Sequence, residues 1–298
     1  MNATTKMTDS HKVQTNQNSS KGNQVKWKTK EGYWYKADFL GYEGLSEYIT
    51  SQLLQKTNLL FVNYDIQKME YQGHTYNGCR STHFLQETES LVTLSTLFRK
   101  YRQEDIAKEC ASREDIKERI CYVVDTVVEI TGLQQFGQYL SALLEMDAIF
   151  LNEDRHFNNI AVIYNEDQDT YTYCPIFDNG ASLLSDTTIE YPLEDDVYKC
   201  IDRVQAKPFS TDFEEQLDAI EQLYGAQFKH WITSKDVENL IDQTKKIGIY
   251  SEQKLSRIET CLKEGLRKYS YLKTDVLPTQ EKTMSTDKEQ EEPDYGQD

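Results

Sequence analysis

The sequence lacks any apolar run close to the ~20 residues that a membrane-spanning helix needs. Its first twenty residues, MNATTKMTDSHKVQTNQNSS, contain no apolar core of the kind that a signal peptide carries. The six cysteines are scattered without a Cys-x-x-Cys pair, and no His and Cys cluster has zinc-binding spacing. These absences argue against secretion, disulfide bonds and structural zinc, so we expect a cytoplasmic protein with reduced thiols.

Positive charge is scarce. The chain has 33 Lys and Arg residues against 50 Asp and Glu residues, which gives a formal net charge of -17. Binding to a nucleic-acid backbone or to an anionic membrane requires a basic face. We therefore expect no nucleic-acid partner and no stable membrane association.

The most informative stretch of the sequence is 149–184. The apolar run Ala148–Leu151 predicts a short buried strand, and polar residues follow it immediately. Residues 160–164 and 170–177 then predict two strands joined by a polar turn. Such a hairpin brings Asp178 back beside the polar loop, so the oxygen-bearing side chains of the two regions converge.

This arrangement suits phosphoryl transfer. The reaction needs a carboxylate that accepts the proton of the attacking hydroxyl, and oxygen ligands for Mg²⁺. Asp154 and Asn159 have the spacing of a kinase base and its metal-binding asparagine. Asp178, which follows the hairpin, stands where the second metal ligand is expected.

The residues around this loop resemble the HipA-like kinase family. Residues 152–159 read NEDRHFNN and residues 177–183 read FDNGASL. The DRHxxN core is equally similar to the phosphoinositide 3/4-kinases, and both groups share the protein-kinase-like fold. The resemblance covers about residues 19–272. It implies ATP and Mg²⁺ as cofactors, and the following roles: Asp154 as catalytic base, His156 as a brace of the loop, and Asn159 and Asp178 as metal ligands.

The aromatic stretch Tyr33–Phe39 predicts a strand that contains Lys36, and a helix with buried leucines follows at about 44–56. A lysine on an inner strand of the small lobe is the usual contact to the α- and β-phosphates of ATP in kinases. Either Glu43 or Glu47 can hold this lysine in place. The family resemblance favours Glu47.

A second candidate for phosphate binding is the short polar segment 19–24. Small residues such as Ser20 and Gly22 let backbone N–H groups approach phosphates, and the HipA-like family has a Ser- and Gly-containing loop at this place. The segment matches neither a Walker A motif nor a Gly-x-Gly-x-x-Gly loop. A flexible connection to the first strand is the alternative interpretation.

These patterns predict an α+β, two-lobed protein-kinase-like fold with a small antiparallel β-rich N-lobe and a mainly helical C-lobe. We expect a disordered tail over 1–18, the N-lobe over 19–87, the C-lobe over 88–272 and a disordered acidic tail over 273–298. A hairpin is predicted with its turn near Gln72-Gly73, and the helical pattern begins at about residue 88. Four further helices are predicted over 133–146, 212–224, 234–247 and 251–271.

The sequence therefore predicts an ATP-dependent Ser/Thr protein kinase of HipA-like type, acting on a protein substrate of unknown identity. Autophosphorylation near Ser19, Ser20 or within 181–209 accompanies this hypothesis. The family also implies an antitoxin-like partner, although we expect no room in this chain for the extra N-terminal subdomain of full-length HipA-like toxins. Two alternatives are a phosphoinositide-like lipid or small-molecule kinase and an inert nucleotide-binding pseudokinase or interaction module.

Overall fold

The computed structural model describes residues 4–13 and 24–275, and the structural statements below concern these two ranges. Their strands are β1 (Thr5–Lys6), β2 (Lys26–Lys28), β3 (Tyr33–Ala37), β4 (Tyr64–Tyr71), β5 (His74–Thr82), β6 (Glu89–Thr93), β7 (Ala161–Asn165) and β8 (Thr170–Tyr173). Their α-helices are α1 (Glu43–Leu54), α2 (Leu94–Tyr101), α3 (Ile106–Ala111), α4 (Ile116–Thr131), α5 (Phe136–Phe150), α6 (Val197–Arg203), α7 (Phe213–Tyr224), α8 (Ser234–Ile247) and α9 (Glu252–Lys268). The fold is α+β, with an N-terminal β-sheet and a mostly helical C-terminal part.

The first sheet has the strand order β1-β4-β5-β3-β2. Strands β2 to β5 pair antiparallel, and the predicted hairpin is formed by β4 and β5. Its two-residue turn is Gln72-Gly73, where φ is 50° and 78°. Glycine adopts this left-handed backbone without the steric cost of a Cβ, which explains why the turn forms here. The prediction of this hairpin is confirmed.

Helix α1 packs against the first sheet through the predicted stripe of Leu45, Ile49 and Leu53, whose exposed fractions are 0%, 0% and 3%. The buried face of α1 includes more residues than the apolar stripe predicts, since Ser46 and Glu47 are also fully buried. Burying a charged side chain costs free energy, and proteins do so only where the charge is paired. The position of Glu47 therefore points to a partner inside the fold.

Part of the N-terminal segment 1–18, for which we expected disorder, is folded onto the first sheet. Thr5 and Lys6 form β1, which pairs parallel with Met69 and Glu70 of β4. The reason is an apolar anchor, because the side chain of Met7 is 6% exposed within a cluster that includes Trp27, Tyr71 and Met69. One apolar residue in a polar stretch is too weak a signal to predict such packing from sequence.

The helical pattern expected from residue 88 begins later, at Leu94. Residues 89–93 instead form β6, the edge of a three-stranded antiparallel sheet with the order β6-β7-β8. The strand pairs along its length with β7, from Glu89 opposite Asn165 to Thr93 opposite Ala161. The partner strand β7 begins at Ala161, far from β6 in the chain, so local periodicity could not reveal this pairing.

The predicted strand at 148–151 is wrong, because these residues form the end of helix α5. Nearly the whole of α5 is buried, and its last turn, Ala148 to Phe150, is a continuous apolar run. Such a run cannot be told from a buried strand by its pattern alone. The helix ends at Phe150, and the left-handed φ of 54° at Leu151 turns the chain into the loop 152–159.

The remaining predicted helices are confirmed as α7, α8 and α9, and the segment 181–209 contains the additional short helix α6. Helix α9 packs against α5, which carries the loop 152–159 at its end. Across the part of the chain that the structure describes, no helix is both long enough and apolar enough to cross a membrane.

The contact between α9 and α5 depends on Gly265, because a Cβ at this position would collide with the backbone carbonyl oxygen of Ile149. We expect Gly265→Ala to lower stability by about 1–3 kcal/mol, as overpacked cores do, and to lower Tm by roughly 2–10 °C. Thermal unfolding followed by circular dichroism measures the change. Ser256→Ala, at an exposed position of the same helix, is the control, and equal Tm values for the two variants would contradict this account.

Candidate active site

The structure brings three charged side chains together from distant parts of the chain. The Nζ atom of Lys36 on β3 donates a hydrogen bond to Glu47 Oε1 on α1 and lies 2.7 Å from Asp178 Oδ1. The other oxygen of Glu47 accepts a hydrogen bond of 2.9 Å from the backbone N–H of Asn179. Of the two glutamates that the sequence left open, Glu47 is thus the partner of Lys36.

Glu43, the other glutamate, has a structural task nearby. Its carboxylate accepts backbone hydrogen bonds from Phe39, Leu40 and Gly41, at 3.1, 2.6 and 3.2 Å. It therefore shapes the connection between β3 and α1, which sets the distance between the lysine strand and the glutamate helix.

Burial and the neighbouring charges shift the pKa values of all three groups, favouring the charged forms of Lys36 and Asp178. Burial raises the pKa of Glu47, and the neighbouring Lys36 ammonium opposes that rise. Burial acts in the same way on Asp178, but the ammonium of Lys36 prevails and holds the pKa of that carboxyl well below its ordinary value. Burial lowers the pKa of Lys36, yet Asp178 and Glu47 together raise it. One ammonium group thus faces two carboxylates, so this set of three side chains contains more acidic than basic groups.

The loop 154–159 is held in place by the buried side chain of Arg155, which is 0% exposed. Its guanidinium makes a bidentate pair with Asp147 of α5, at 2.8 and 2.9 Å. It also donates to the backbone oxygens of Asn159 and Phe177, at 3.0 and 2.9 Å, and to Asn179 Oδ1 at 2.7 Å. One side chain therefore fixes the loop against the segment that carries Asp178.

A second buried side chain, Asn152, shapes the start of the loop. Its Nδ2 donates to Asp147 Oδ1 at 2.9 Å, and its Oδ1 accepts from the backbone N–H of Asp154 at 3.2 Å. The amide thereby uses both of its polar ends, as a buried polar group must. The direction of the chain at Asp154 follows from these two bonds.

Asn159 and Asp178 offer oxygen atoms that suit Mg²⁺. Asn159 Nδ2 donates to the backbone oxygen of Asp154 at 2.9 Å, while its Oδ1 has no hydrogen-bond donor among residues 4–13 and 24–275. Asp178 uses Oδ1 for Lys36. Mg²⁺ takes one or two protein oxygens and completes its shell with phosphate and water. The side-chain oxygens of Asn159 and Asp178 fit such an ion. Within the described ranges no group of three His, Cys, Asp or Glu side chains is arranged to hold a metal by itself.

Asp154 itself is largely buried, and Lys207 is a charged neighbour whose Nζ lies 3.1 Å from Asp154 Oδ1. The predicted brace, His156, lies beside it with Nε2 3.7 Å from Asp154 Oδ2, beyond hydrogen-bond range. Neither ring nitrogen of His156 has a hydrogen-bond partner among the described residues. The hydrogen bonds that hold the loop come from Arg155 instead.

The predicted phosphate-binding residues Ser20 and Gly22 lie outside the described residues. The described residues on either side of them are joined, because the N–H of Val13 donates to the backbone oxygen of Lys26 at 2.9 Å.

Sequence reasoning missed three residues at this site: Arg155 as the brace, its partner Asp147, and Lys207. A usable signal existed for Asp147, since an acidic residue in the apolar helix α5 must be paired. No signal existed for Lys207, which is distant from Asp154 in the chain.

A separate buried carboxyl links the start of α1 to the C-terminal helices. Asp38 accepts hydrogen bonds from the backbone N–H of Gly44 at 2.7 Å and from the hydroxyl of Tyr250 at 2.9 Å. Burial raises the pKa of Asp38 to about 7; the two hydrogen bonds and Lys254 oppose this rise, and Glu43 adds to it.

This carboxyl predicts a pH dependence of stability. The folded protein holds the Asp38 proton more tightly than the unfolded chain, so this residue makes the fold less stable as the pH rises from about 4 to about 7. Asp38→Asn removes that loss, and we expect its stability relative to the parent protein to increase over this window. Urea unfolding at pH 5 and pH 7.5 measures it, with the exposed Asp167→Asn as control. Parallel stability curves for Asp38→Asn and the parent would contradict the assignment.

The Arg155–Asp147 pair predicts a large effect of a single substitution. Arg155→Gln leaves the carboxylate of Asp147 buried without its cation, which typically costs about 3–5 kcal/mol. Urea-induced unfolding measures the loss. The control is Arg267→Gln, which removes an exposed ion pair with Glu264 and should change stability far less. A similar loss in both variants would show that burial of the pair is not the cause.

Comparison with known proteins gives a fold rather than a family. No protein-family model matches the sequence, and no curated protein matches it. Among solved structures, the chain is similar to the proinflammatory kinase CtkA of Helicobacter pylori, with a TM-score of 0.57, 17% sequence identity, and coverage of 89% of this chain and 95% of that chain.

A weaker match is HipA of Shewanella oneidensis MR-1, solved in a complex with HipB and operator DNA. Its TM-score is 0.43 and its identity 14%, with coverage of 79% of this chain and 58% of that chain. The similarity to CtkA confirms the predicted fold: the chain has the kinase-like α+β fold of that protein.

Proposed function

We propose that this chain is an ATP- and Mg²⁺-dependent Ser/Thr protein kinase of HipA-like type, which transfers the γ-phosphate of ATP to a protein hydroxyl. The observation that carries the proposal is the ion-pair set of Lys36, Glu47 and Asp178, drawn from β3, α1 and the segment after β8. Arg155 holds the loop 154–159 against that same segment. The parts that phosphoryl transfer needs are therefore fixed relative to one another.

Nucleotide binding has support on two sides of this set. Lys36 supplies the cation for the α- and β-phosphates, and Glu47 keeps it in place. The segment 83–88 joins the two sheets. Within it, Phe84 packs with Phe177 at a ring distance of 6.5 Å, next to the buried cluster around Ile163. A partly exposed apolar surface beside a chain connection suits an adenine ring.

Asn159 and Asp178 would hold the Mg²⁺ ion through side-chain oxygens. When bound, Mg²⁺ neutralises charge on the ATP phosphates and fixes their orientation. Asp178 already contacts Lys36, and Arg155 ties the preceding residue, Phe177, to the loop 154–159. Asn159 and Asp178 therefore connect the phosphate-binding lysine to the site of the reaction.

In this proposal Asp154 accepts the proton of the substrate hydroxyl. As the hydroxyl oxygen attacks the γ-phosphorus, the proton passes to the Asp154 carboxylate and the bond to ADP breaks, with its electron pair leaving on ADP. Asn152 and Asn159 both bond the backbone of Asp154, so the base is oriented before substrate binds. Orientation of this kind accounts for a large part of kinase catalysis.

A protein substrate is supported by a groove next to the base. The groove has a volume of about 430 Å³ and is lined by Glu114, Arg119, residues 206–211 and Glu215. It includes Lys207, which contacts Asp154, so its occupant would lie beside the base. An open surface groove suits a polypeptide segment better than an enclosed small molecule.

The alternative functions fit less well. A lipid headgroup would require approach to an anionic membrane, which the net charge of -17 opposes. An inert module would not need the complete set of Lys36, Glu47, Asp154, Asn159 and Asp178. An antitoxin-like partner and autophosphorylation near Ser19 or Ser20 are implications of the HipA resemblance alone.

The test is Mg²⁺-dependent transfer of labelled γ-phosphate from ATP to a generic protein substrate. We expect Asp154→Asn to lower kcat by about 10²–10⁴, the usual contribution of a general base. Asp178→Asn should abolish turnover and weaken the Mg²⁺ dependence. Asp167→Ala, in the exposed turn between β7 and β8, is the matched control and should retain full activity.

Two results would contradict the proposal. Transfer by Asp154→Asn at the parental rate would remove Asp154 from the reaction. Labelling of phosphoinositides without labelling of protein would instead identify a lipid kinase with the same site.

A further inference from the structure

Lys207 lies at the site but has no part in the proton transfer and metal binding proposed for Asp154, Asn159 and Asp178. Its ammonium lies 3.1 Å from Asp154 Oδ1, although the two residues are far apart in the chain. The side chain of Lys207 is 43% exposed, whereas that of Asp154 is 12% exposed. The lysine therefore reaches the base from the side that faces solvent.

The loop 204–211 that carries Lys207 is held from beneath by Gln216 of α7. This glutamine is fully buried. Its Nε2 donates to the backbone oxygen of Lys207 at 3.1 Å, and its Oε1 accepts from the backbone N–H of Phe209 at 3.0 Å. A buried amide whose hydrogen bonds all go to one loop fixes the course of that loop.

Two further contacts hold the same loop, one to helix α4 and one to the loop 154–159. Arg119 of α4 donates to the backbone oxygen of Phe209 at 2.7 Å. The ring of Phe209, which is 1% exposed, packs edge-on against Phe157 of the loop 154–159, with centroids 5.6 Å apart. Lys207 is thus presented to Asp154 by a rigid support rather than by a free surface loop.

A cation at this position can reduce an electrostatic repulsion that arises during phosphoryl transfer. Negative charge on the γ-phosphoryl group must approach the carboxylate of Asp154, and the two repel each other. A lysine ammonium has three N–H donors, and Asp154 accepts one of them. Two donors remain for an oxygen of the incoming phosphoryl group.

We propose that Lys207 is a further catalytic residue of the phosphoryl transfer proposed above, on which this inference rests. Its ammonium orients Asp154 and binds an oxygen of the transferred γ-phosphoryl group. Charge stabilisation in a preorganised site contributes most where charge moves during the reaction. The effect of Lys207 should therefore appear in kcat and leave the binding of ATP largely unchanged.

The kinetic test compares Lys207→Met and Lys207→Arg with the parent in the labelled-phosphate assay. We expect Lys207→Met to lower kcat by about 10²–10³, the usual loss on removing one charge-stabilising donor, with KM for ATP changed less than threefold. Lys207→Arg, which keeps the charge, should recover part of the rate. Lys199→Met, an exposed lysine of α6, is the matched control and should retain the parental rate.

A binding test separates contact with the phosphoryl group from a structural role. MgADP with aluminium fluoride mimics the phosphoryl group in transfer, whereas MgADP alone lacks it. We expect Lys207→Met to bind the aluminium fluoride complex at least tenfold more weakly in calorimetry, with MgADP binding and Tm unchanged.

The outcomes distinguish the two proposals. Parental kcat in Lys207→Met, or equal weakening of MgADP with and without aluminium fluoride, would overturn the role of Lys207 and leave the kinase assignment intact. Absence of both transfer and MgADP binding in the parent protein would overturn the kinase assignment and this inference with it.

Discussion

The buried pair of Arg155 and Asp147 is the constraint on which the site depends. Both side chains are inaccessible to solvent, so each needs the other to remain charged in the interior. Arg155 also donates hydrogen bonds to the backbone oxygens of Asn159 and Phe177 and to the side-chain oxygen of Asn179. A single guanidinium therefore joins the end of α5, the loop 154–159 and the segment after β8.

The second organising interaction crosses between the N-terminal sheet and the helical part. Lys36 belongs to the sheet, whereas Asp178 follows the second sheet, and their ion pair ties the two regions at the place where phosphate is expected to bind. Glu47 adds a second tie through the backbone of Asn179. The same charges that would handle the nucleotide also hold the architecture, so function and fold share these residues.

The parts that sequence predicted well are local. The hairpin turn at Gln72-Gly73 follows from the backbone freedom of glycine, and α1 follows from leucines at helical spacing. Two elements were not predicted from local sequence: the end of helix α5, where a strand was expected over 148–151, and the strand β6. In both places tertiary burial or a distant partner strand decided between two conformations that the local pattern allowed.

The sequence by itself determined the candidate reactive groups, because the spacing of Asp154 and Asn159 and the placement of Asp178 are properties of the chain. It left open which glutamate pairs with Lys36, and it gave no sign of Lys207. Only the tertiary structure decided these points. Ion pairs between distant residues depend on distance and burial in three dimensions, and neither is written in the order of residues along the chain.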